Sequence, residues 1–268
     1  MLFVIDIGNS HTVIGLYDNN TLQGHWRITS DRNRTADEIA IQFNALTAMT
    51  RIQSLSITDI IISSVVPSLE AAWMACCRKH FSDNLKHPPC IVDDSNLKDI
   101  IEIQTDYPGE VGADRLVNTI AAWSQYKTHL IVIDFGTAIT FDCVTNRCEY
   151  IGGTILPGVA VSLEALSSRA AKLPHIDISV APATIIGKNT VDAMKSGVLH
   201  GYGAMIDGLV DILAAEMCGV ADELNIIATG GMAEIIIPYC RKVKTIDQML
   251  TLKGLHHIYS RIHGKLPH

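Results

Sequence analysis

Two short stretches decide how this chain folds, Asp6-Ile7-Gly8-Asn9-Ser10 and Asp134-Phe135-Gly136-Thr137-Ala138. Each ends an apolar run, residues 2–5 in the first case and 130–133 in the second. Each then turns on a glycine and enters a second β-rich segment, 12–17 and 138–144. Strand, glycine turn and strand read as a hairpin. A four-residue echo is weak on its own. Repeated in the same context half a chain apart, it implies two related α/β halves facing one another across a cleft.

The sequence around these turns alternates strand and helix signals. Thr35-x-x-Glu38 is a capping box, with Ile39, Phe43 and Leu46 on one face of the helix behind it. Residues 60–66 read as a strand buried on both faces and stopped by Pro67, after which Ser68 is placed to cap a helix. Residues 91–92 are a short strand and 108–112 a loop; Leu116, Ile120 and Trp123 then share a helical face. In the second half Gly152-Gly153 and Pro157-Gly158 read as turns, followed by a helix carrying Leu163, Leu166 and Ala170. Val198, Tyr202, Met205, Leu209 and Leu213 fall on one helical face, with Gly219 as its C-cap. Residues 225–228 form another strand leading into Thr229-Gly230-Gly231, and 247–262 read as a helix.

Composition narrows the function classes. A chain of 268 residues can bury one large core or two ordinary ones. With 21 basic and 28 acidic residues the net charge is −7, which disfavours a nucleic-acid partner. An anionic ligand must therefore be held locally, by backbone N–H groups, single basic residues or a bridging cation. The longest stretch without Asp, Glu, Lys or Arg, residues 150–163, has 14 residues and includes three Gly and a Pro. A spanning helix needs roughly 18–20 apolar residues. The opening Met-Leu-Phe-Val-Ile-Asp lacks the basic start of a signal peptide. The expectation is a cytoplasmic chain with no membrane partner. Seven cysteines, with Cys76 and Cys77 adjacent and no C-x-x-C pair, predict free thiols rather than disulfides or zinc ligands.

The chemistry follows from the turns. Glycine lets the backbone approach a phosphate with its N–H groups pointing outward. An aspartate at the end of the preceding strand can hold Mg²⁺ directly or through water. No G-x-x-x-x-G-K-[ST] loop offers a different nucleotide site. Pro108-Gly109-Glu110-Val111-Gly112-Ala113-Asp114-Arg115 sets Asp114 in the first turn of a helix, where the dipole favours its anion. Such a carboxylate can accept a hydroxyl proton during phosphoryl transfer, or can be a plain helix-terminal charge. Arg115 offers a planar fork to a substrate carboxylate, or forms a surface ion pair. In Gly187-Lys188-Asn189-Thr190, Lys188 reads as solvated, and Thr190 as an N-cap or a ligand donor.

Taken together, D-I-G-N-S at 6–10, E-V-G-A-D-R at 110–115, D-F-G-T-A at 134–138, G-G-T-I-L-P-G at 152–158, A-A-K-L-P at 170–174 and I-G-K-N-T at 186–190 resemble the type III pantothenate kinase family, which performs the first step of coenzyme A synthesis. The resemblance implies two duplicated actin-like (ribonuclease H-like) α/β halves around a nucleotide cleft, of the acetate and sugar kinase/Hsp70/actin superfamily. Residues 1–120 would hold the first phosphate loop and the substrate loop, and 121–268 the second phosphate loop and the adenosine region. The last helix would be free to pack back on the first half. It implies ATP and pantothenate as ligands, a homodimer, Mg²⁺ or another divalent cation, and a monovalent cation, K⁺ or NH₄⁺. Asp6, Ile7, Gly8, Asn9, Ser10, His11, Thr12 and Val13 would form the ATP loop, with Asp6 near Mg²⁺ through water. Asp114 would be the general base, and Gly112, Ala113, Arg115 and Thr190 would join it at pantothenate. Asp134 would bind the monovalent cation and Thr137 would contact ATP.

Two positions depart from the family pattern. Members often carry a substrate-contacting Tyr where this chain has Thr105, with Tyr107 two residues on, and some carry a Lys where this chain has Val13. The expectation is that backbone donors or Lys188 replace that charge, or that ATP binds more weakly. Two other readings use the same fold, a nucleotide-sensing regulatory protein and a polyphosphate or nucleotide phosphatase. Asp114 argues against the first, and its pairing with Arg115, suited to a carboxylate-bearing alcohol, against the second.

Overall fold

The computed structural model describes residues 1–49, 57–217 and 223–264; Gly219, the expected helix cap, lies outside them. In chain order the elements are β1 (Leu2–Ile7), β2 (His11–Asp18), β3 (Thr21–Thr29), α1 (Ala36–Met49), β4 (Asp59–Ser64), α2 (Pro67–His80), β5 (Cys90–Ile91), α3 (Asp94–Leu97), β6 (Glu102–Ile103) and α4 (Ala113–Tyr126). There follow β7 (His129–Phe135), β8 (Ala138–Val144), β9 (Glu149–Pro157), α5 (Val159–Arg169), α6 (Thr190–Met217), β10 (Leu224–Thr229), α7 (Ala233–Ile236), β11 (Thr245–Ile246) and α8 (Leu250–Ile262). The chain divides into two units: Met1–Glu102, Asp106–Ala121 and Leu250 onward form the first, Ile103–Thr105 and Ala122–Met249 the second.

The first unit is built on a sheet of order β3-β2-β1-β4-β5, antiparallel across β3, β2 and β1 and parallel from β1 to β5. Alternation sends Phe3, Ile5, Ile7, Ile14 and Leu16 to one face, where they meet Phe43 of α1 and Trp73 of α2. The expected capping box starts α1: Thr35 N–H donates to Glu38 Oε2 at 2.8 Å, and Glu38 N–H to Thr35 Oγ1 at 3.4 Å. Ser68, by contrast, does not cap α2. The helix starts two residues earlier, with Val66 as cap residue and Pro67 in its first turn, where the missing N–H costs nothing. On the other face α8 returns to cover the sheet. A Cβ on Gly15 would stand 3.1 Å from Leu252 Cδ1, and one on Gly254 would stand 2.4 Å from the Val117 carbonyl of α4. Tyr259 of α8 donates its hydroxyl to the buried Asp59 of β4, which also takes a bond from His87 at 3.1 Å.

The second unit repeats this arrangement. Its sheet runs β11-β10-β7-β8-β9-β6, so β9-β8-β7-β10-β11 matches β3-β2-β1-β4-β5 strand for strand and direction for direction. Ile131, Ile133, Phe135, Ile139 and Phe141 pack against Leu199, Ile206 and Val210 of α6. Gly152-Gly153 do not form the expected turn but lie within β9. The β8–β9 register shifts there, Gly152 takes φ +114°, and a Cβ on Gly153 would fall 1.8 Å from the Phe141 carbonyl oxygen. The glycines serve a bulge and a close strand approach. The buried stripe of α6 also departs from expectation: Leu199, Gly203, Ile206, Asp207 and Val210 are buried, while Val198, Tyr202, Leu209 and Leu213 are only partly so. By length and composition α6 could cross a membrane, but this stripe makes it a core helix of the second unit. The described cysteines are free, all buried except Cys90, and burial pushes the Cys76 thiol up to about 12.

Candidate active site

The first glycine turn joins β1 to β2 with Asp6 opposite Val13 and Ile7 opposite Thr12. Gly8 N–H donates to the His11 carbonyl at 3.0 Å, and a Cβ on Gly8 would press to 2.9 Å from that oxygen. Ile7 and Thr12 are fully buried, so what they offer a ligand is main chain; Asn9, Ser10 and His11 are exposed at the tip. Arg27 lies directly across from Val13 on β3, so Asp6, Val13 and Arg27 share one row on one face. A cation thus stands beside the turn where Val13 supplies none. Arg27 Nη2 is 3.0 Å from His11 Nδ1. Arginine only donates, so Nδ1 accepts and the neutral ring carries its proton on Nε2. Burial, and secondarily the Arg27 charge, hold the His11 pKa below its usual value.

Asp114 belongs to the same unit and the same end of its sheet. In the parallel β1–β4 register Ser63 stands beside Asp6. Its hydroxyl is fully buried, with no hydrogen-bond partner among the described residues. Just past β4, Val65 N–H donates to the Ile7 carbonyl at 3.0 Å. A Cβ on Gly112 would lie 2.7 Å from Asp114 Oδ1 and 3.6 Å from Val65 Cγ1. The segment before α4 therefore rests against the chain leaving β4, beside the strand that carries Asp6. Asp114 Oδ1 accepts the Arg115 N–H at 2.8 Å, which orients the carboxylate. Ala113, Asp114 and Arg115 are half-buried, and Tyr107, at 69% exposed, precedes a single 3-10 turn at 108–110. Thr105 falls in the second unit, its Oγ1 buried and without a hydrogen-bond partner among the described residues.

In the second unit Asp134 is the penultimate residue of β7, opposite Thr140 and beside Thr229 of β10. Thr229 thus repeats the position of Ser63. Gly136 N–H donates to the Ala138 carbonyl and Gly158 N–H to the Thr137 carbonyl, both at 3.0 Å. Gly230, at φ +91°, lies against Asp134: a Cβ there would be 2.4 Å from its Oδ1 and 2.6 Å from Phe135 N. At the start of α6 the capping residue is Asn189, not Thr190. Its Oδ1 takes the Asp192 N–H at 2.9 Å, and Thr190 follows as an exposed first helical residue. Lys188 is exposed as expected of a solvated lysine.

Both carboxylates fit cations, in different ways. Among the described residues no three His, Cys, Asp or Glu side chains gather as a metal cage. A single carboxylate beside the orphaned Ser63 hydroxyl suits a hydrated divalent ion, which keeps most of its water and takes phosphate oxygens. The Asp134 carboxylate is a hard oxygen donor suited to a cation, and Gly230 packs against it so closely that no side chain fits there. Arg27, Ser30 and Ser63 belong to no motif in the sequence. Arg27 and Ser63 become visible only through strand register, and Ser30 only through hydrogen bonds to the first turn.

The family model for type III pantothenate kinase matches residues 2–212. A type III pantothenate kinase of Desulfotalea psychrophila is 52% identical over 265 residues, covering 99% of this chain and 100% of that one. Among solved structures, a Baf family transcriptional activator from Campylobacter jejuni superposes with TM-score 0.57 at 20% identity, covering 98% of this chain and 100% of that one. A 2-dehydro-3-deoxygalactonokinase from Sinorhizobium meliloti gives 0.56 at 13% identity, covering 100% and 99%. At such identities the structures speak for the shared fold of sugar kinases and their relatives. The relatives in sequence speak for more: this chain belongs to the type III pantothenate kinase family.

Proposed function

We infer that the chain transfers the γ-phosphoryl group of ATP to the primary hydroxyl of pantothenate, giving 4′-phosphopantothenate and ADP at the entry to coenzyme A synthesis. The observation that carries this reading is the placement of a glycine phosphate turn with its aspartate, and of Asp114, at one end of one sheet. Phosphoryl transfer asks little covalent chemistry of a protein and much positioning and charge neutralisation. The turn at 6–13 takes the phosphates through backbone N–H groups, with Arg27 beside it. Asp114 accepts the proton of the attacking hydroxyl, while Gly112, Ala113, Arg115 and Thr190 hold pantothenate, Arg115 through its carboxylate. Thr137 contacts ATP. A divalent ion near Asp6 supplies charge neutralisation on the phosphates when bound. Asp134 holds the monovalent cation. The protein works as a cytoplasmic homodimer, in line with the family it belongs to.

The test is ADP release coupled to mass detection of 4′-phosphopantothenate, with and without K⁺. ADP release that requires pantothenate and yields the phosphorylated product is expected. Phosphate release without pantothenate would make the protein a phosphatase, and nucleotide binding without turnover a sensor. Asp134→Ala is expected to abolish activity or its dependence on K⁺; unchanged K⁺ activation would remove Asp134 from that role.

A further inference from the structure

We propose that Ser30 is a positioning residue for ATP, a clasp that sets the first phosphate turn from outside it; this rests on the reading of that turn as the ATP site. Ser30 follows β3 and lies 18 residues from Thr12 in sequence, yet its hydroxyl and its N–H together make three bonds to the turn. Its hydroxyl donates to the Gly8 carbonyl at 2.6 Å, and its N–H donates to the Ser10 carbonyl at 3.0 Å. Its Oγ is also 2.9 Å from Thr12 Oγ1. A serine hydroxyl has one proton, and here the Gly8 carbonyl takes it. Thr12 must therefore donate to Ser30, and the direction of the whole chain of bonds is set. Arg32, two residues on, adds a bond from Nη2 to Asn9 Oδ1 at 3.2 Å.

The consequence is electrostatic. A phosphate at a glycine turn is attracted by N–H groups and repelled by carbonyl oxygens in the same few residues. Ser30 engages two of those oxygens, at 8 and 10, and the Gly8 N–H holds a third, at 11. With these oxygens engaged by donors, their repulsion of a phosphate at the turn is reduced. Thr12 is 1% exposed, so water cannot replace the Ser30 hydroxyl around it without opening the hairpin. Removing that hydroxyl leaves the Gly8 carbonyl and Thr12 without their shared partner, and the turn loses its fixed geometry.

The experiment compares Ser30→Ala and Ser30→Thr with wild type, measuring KM for each substrate, kcat, and direct ATP·Mg²⁺ affinity without pantothenate. Ser30→Ala is expected to raise both the ATP KM and the ATP Kd by about tenfold, the loss of one or two partly buried hydrogen bonds. The pantothenate KM is expected to stay within about twofold of wild type, because the Asp114 segment makes no bond to Ser30 in this arrangement. Ser30→Thr keeps both donors and is expected to restore ATP affinity. Unchanged ATP affinity in Ser30→Ala, or an equal rise in both KM values, would overturn the proposal. If Ser30→Ala does not fold, Ser30→Cys keeps the volume with a weak donor and is read by the same criteria. The binding measurement needs no turnover, so a wild type that binds ATP but leaves pantothenate untouched would sink the kinase reading and still test Ser30.

Discussion

Gly230 and His11 show how single residues set this site. At φ +91° Gly230 holds a conformation unfavourable to other residues, and a Cβ there would collide with Asp134 Oδ1 at 2.4 Å. Gly230→Ala is expected to displace the carboxylate and lower kcat/KM about a hundredfold, as misplacement of about 1 Å does. Wild-type kinetics with wild-type K⁺ dependence would contradict it. The sequence marked this position only as one glycine of a turn, because a carboxylate approaching from another strand leaves no local signal. His11 adds a pH prediction. Its pKa is held down by burial and then by Arg27, so an NMR titration is expected to place it below the ordinary value near 6.5. Arg27→Ala should move it upward, since the neutral Nδ1 loses its donor and the ring loses a neighbouring positive charge. A titration unmoved by that substitution would separate the two residues. Protonation as pH falls places a second cation beside Arg27 and breaks their bond, so this contact stabilises the fold above the His11 pKa and not below it.

At the scale of elements, α6 shows where pattern reading succeeds and where it fails. Its apolar periodicity locates the helix, yet the stripe that sinks deepest includes Gly203 and Asp207, which hydropathy assigns to the outside. Gly203 is buried because a Cβ there would meet the Tyr239 carbonyl at 2.4 Å. Asp207 is buried because it accepts the N–H groups of Arg241 and Lys242, at 2.9–3.0 Å, tying α6 to the chain after α7. Burial opposes its ionisation, but these N–H groups and the Arg241 guanidinium outweigh it and hold the carboxyl below its usual range. The sign follows: a lowered pKa gives stability that is present above the unfolded value, near 3.9, and lost as pH falls through the folded one. Asp207→Asn is expected to cost about 1–3 kcal/mol near neutral pH, with the gap from wild type closing as pH drops below about 4. A gap constant across that range in urea titrations would contradict this account. β9 makes the same point for strands, since Gly152-Gly153 read as a turn until the bulge and the neighbouring Phe141 carbonyl explain them.

Across the whole molecule the internal echo proved the most informative feature of the sequence. Two D-x-G turns in like contexts correspond to two sheets with the same five-strand order and directions, down to hydroxyl residues, Ser63 and Thr229, beside each aspartate. That duplication was legible because each turn and its strands are contiguous in sequence. The place of α8 was left open by its sequence, which allows it to pack back on the first half, and only contacts such as Tyr259 with Asp59, 200 residues away, fix it there. The candidate site divides in the same way: Asp6, Asp114 and Asp134 lie in motifs, whereas Arg27, Ser30 and Ser63 act through strands and turns distant in sequence. The account depends most on the carboxylate at 114 taking the proton of the attacking alcohol, and comparing 4′-phosphopantothenate formation by wild type and Asp114→Asn, alongside ATP affinity, tests it most directly. A fall in kcat of about 10²–10⁴ with ATP binding intact is the expected result; turnover near the wild-type rate would contradict it.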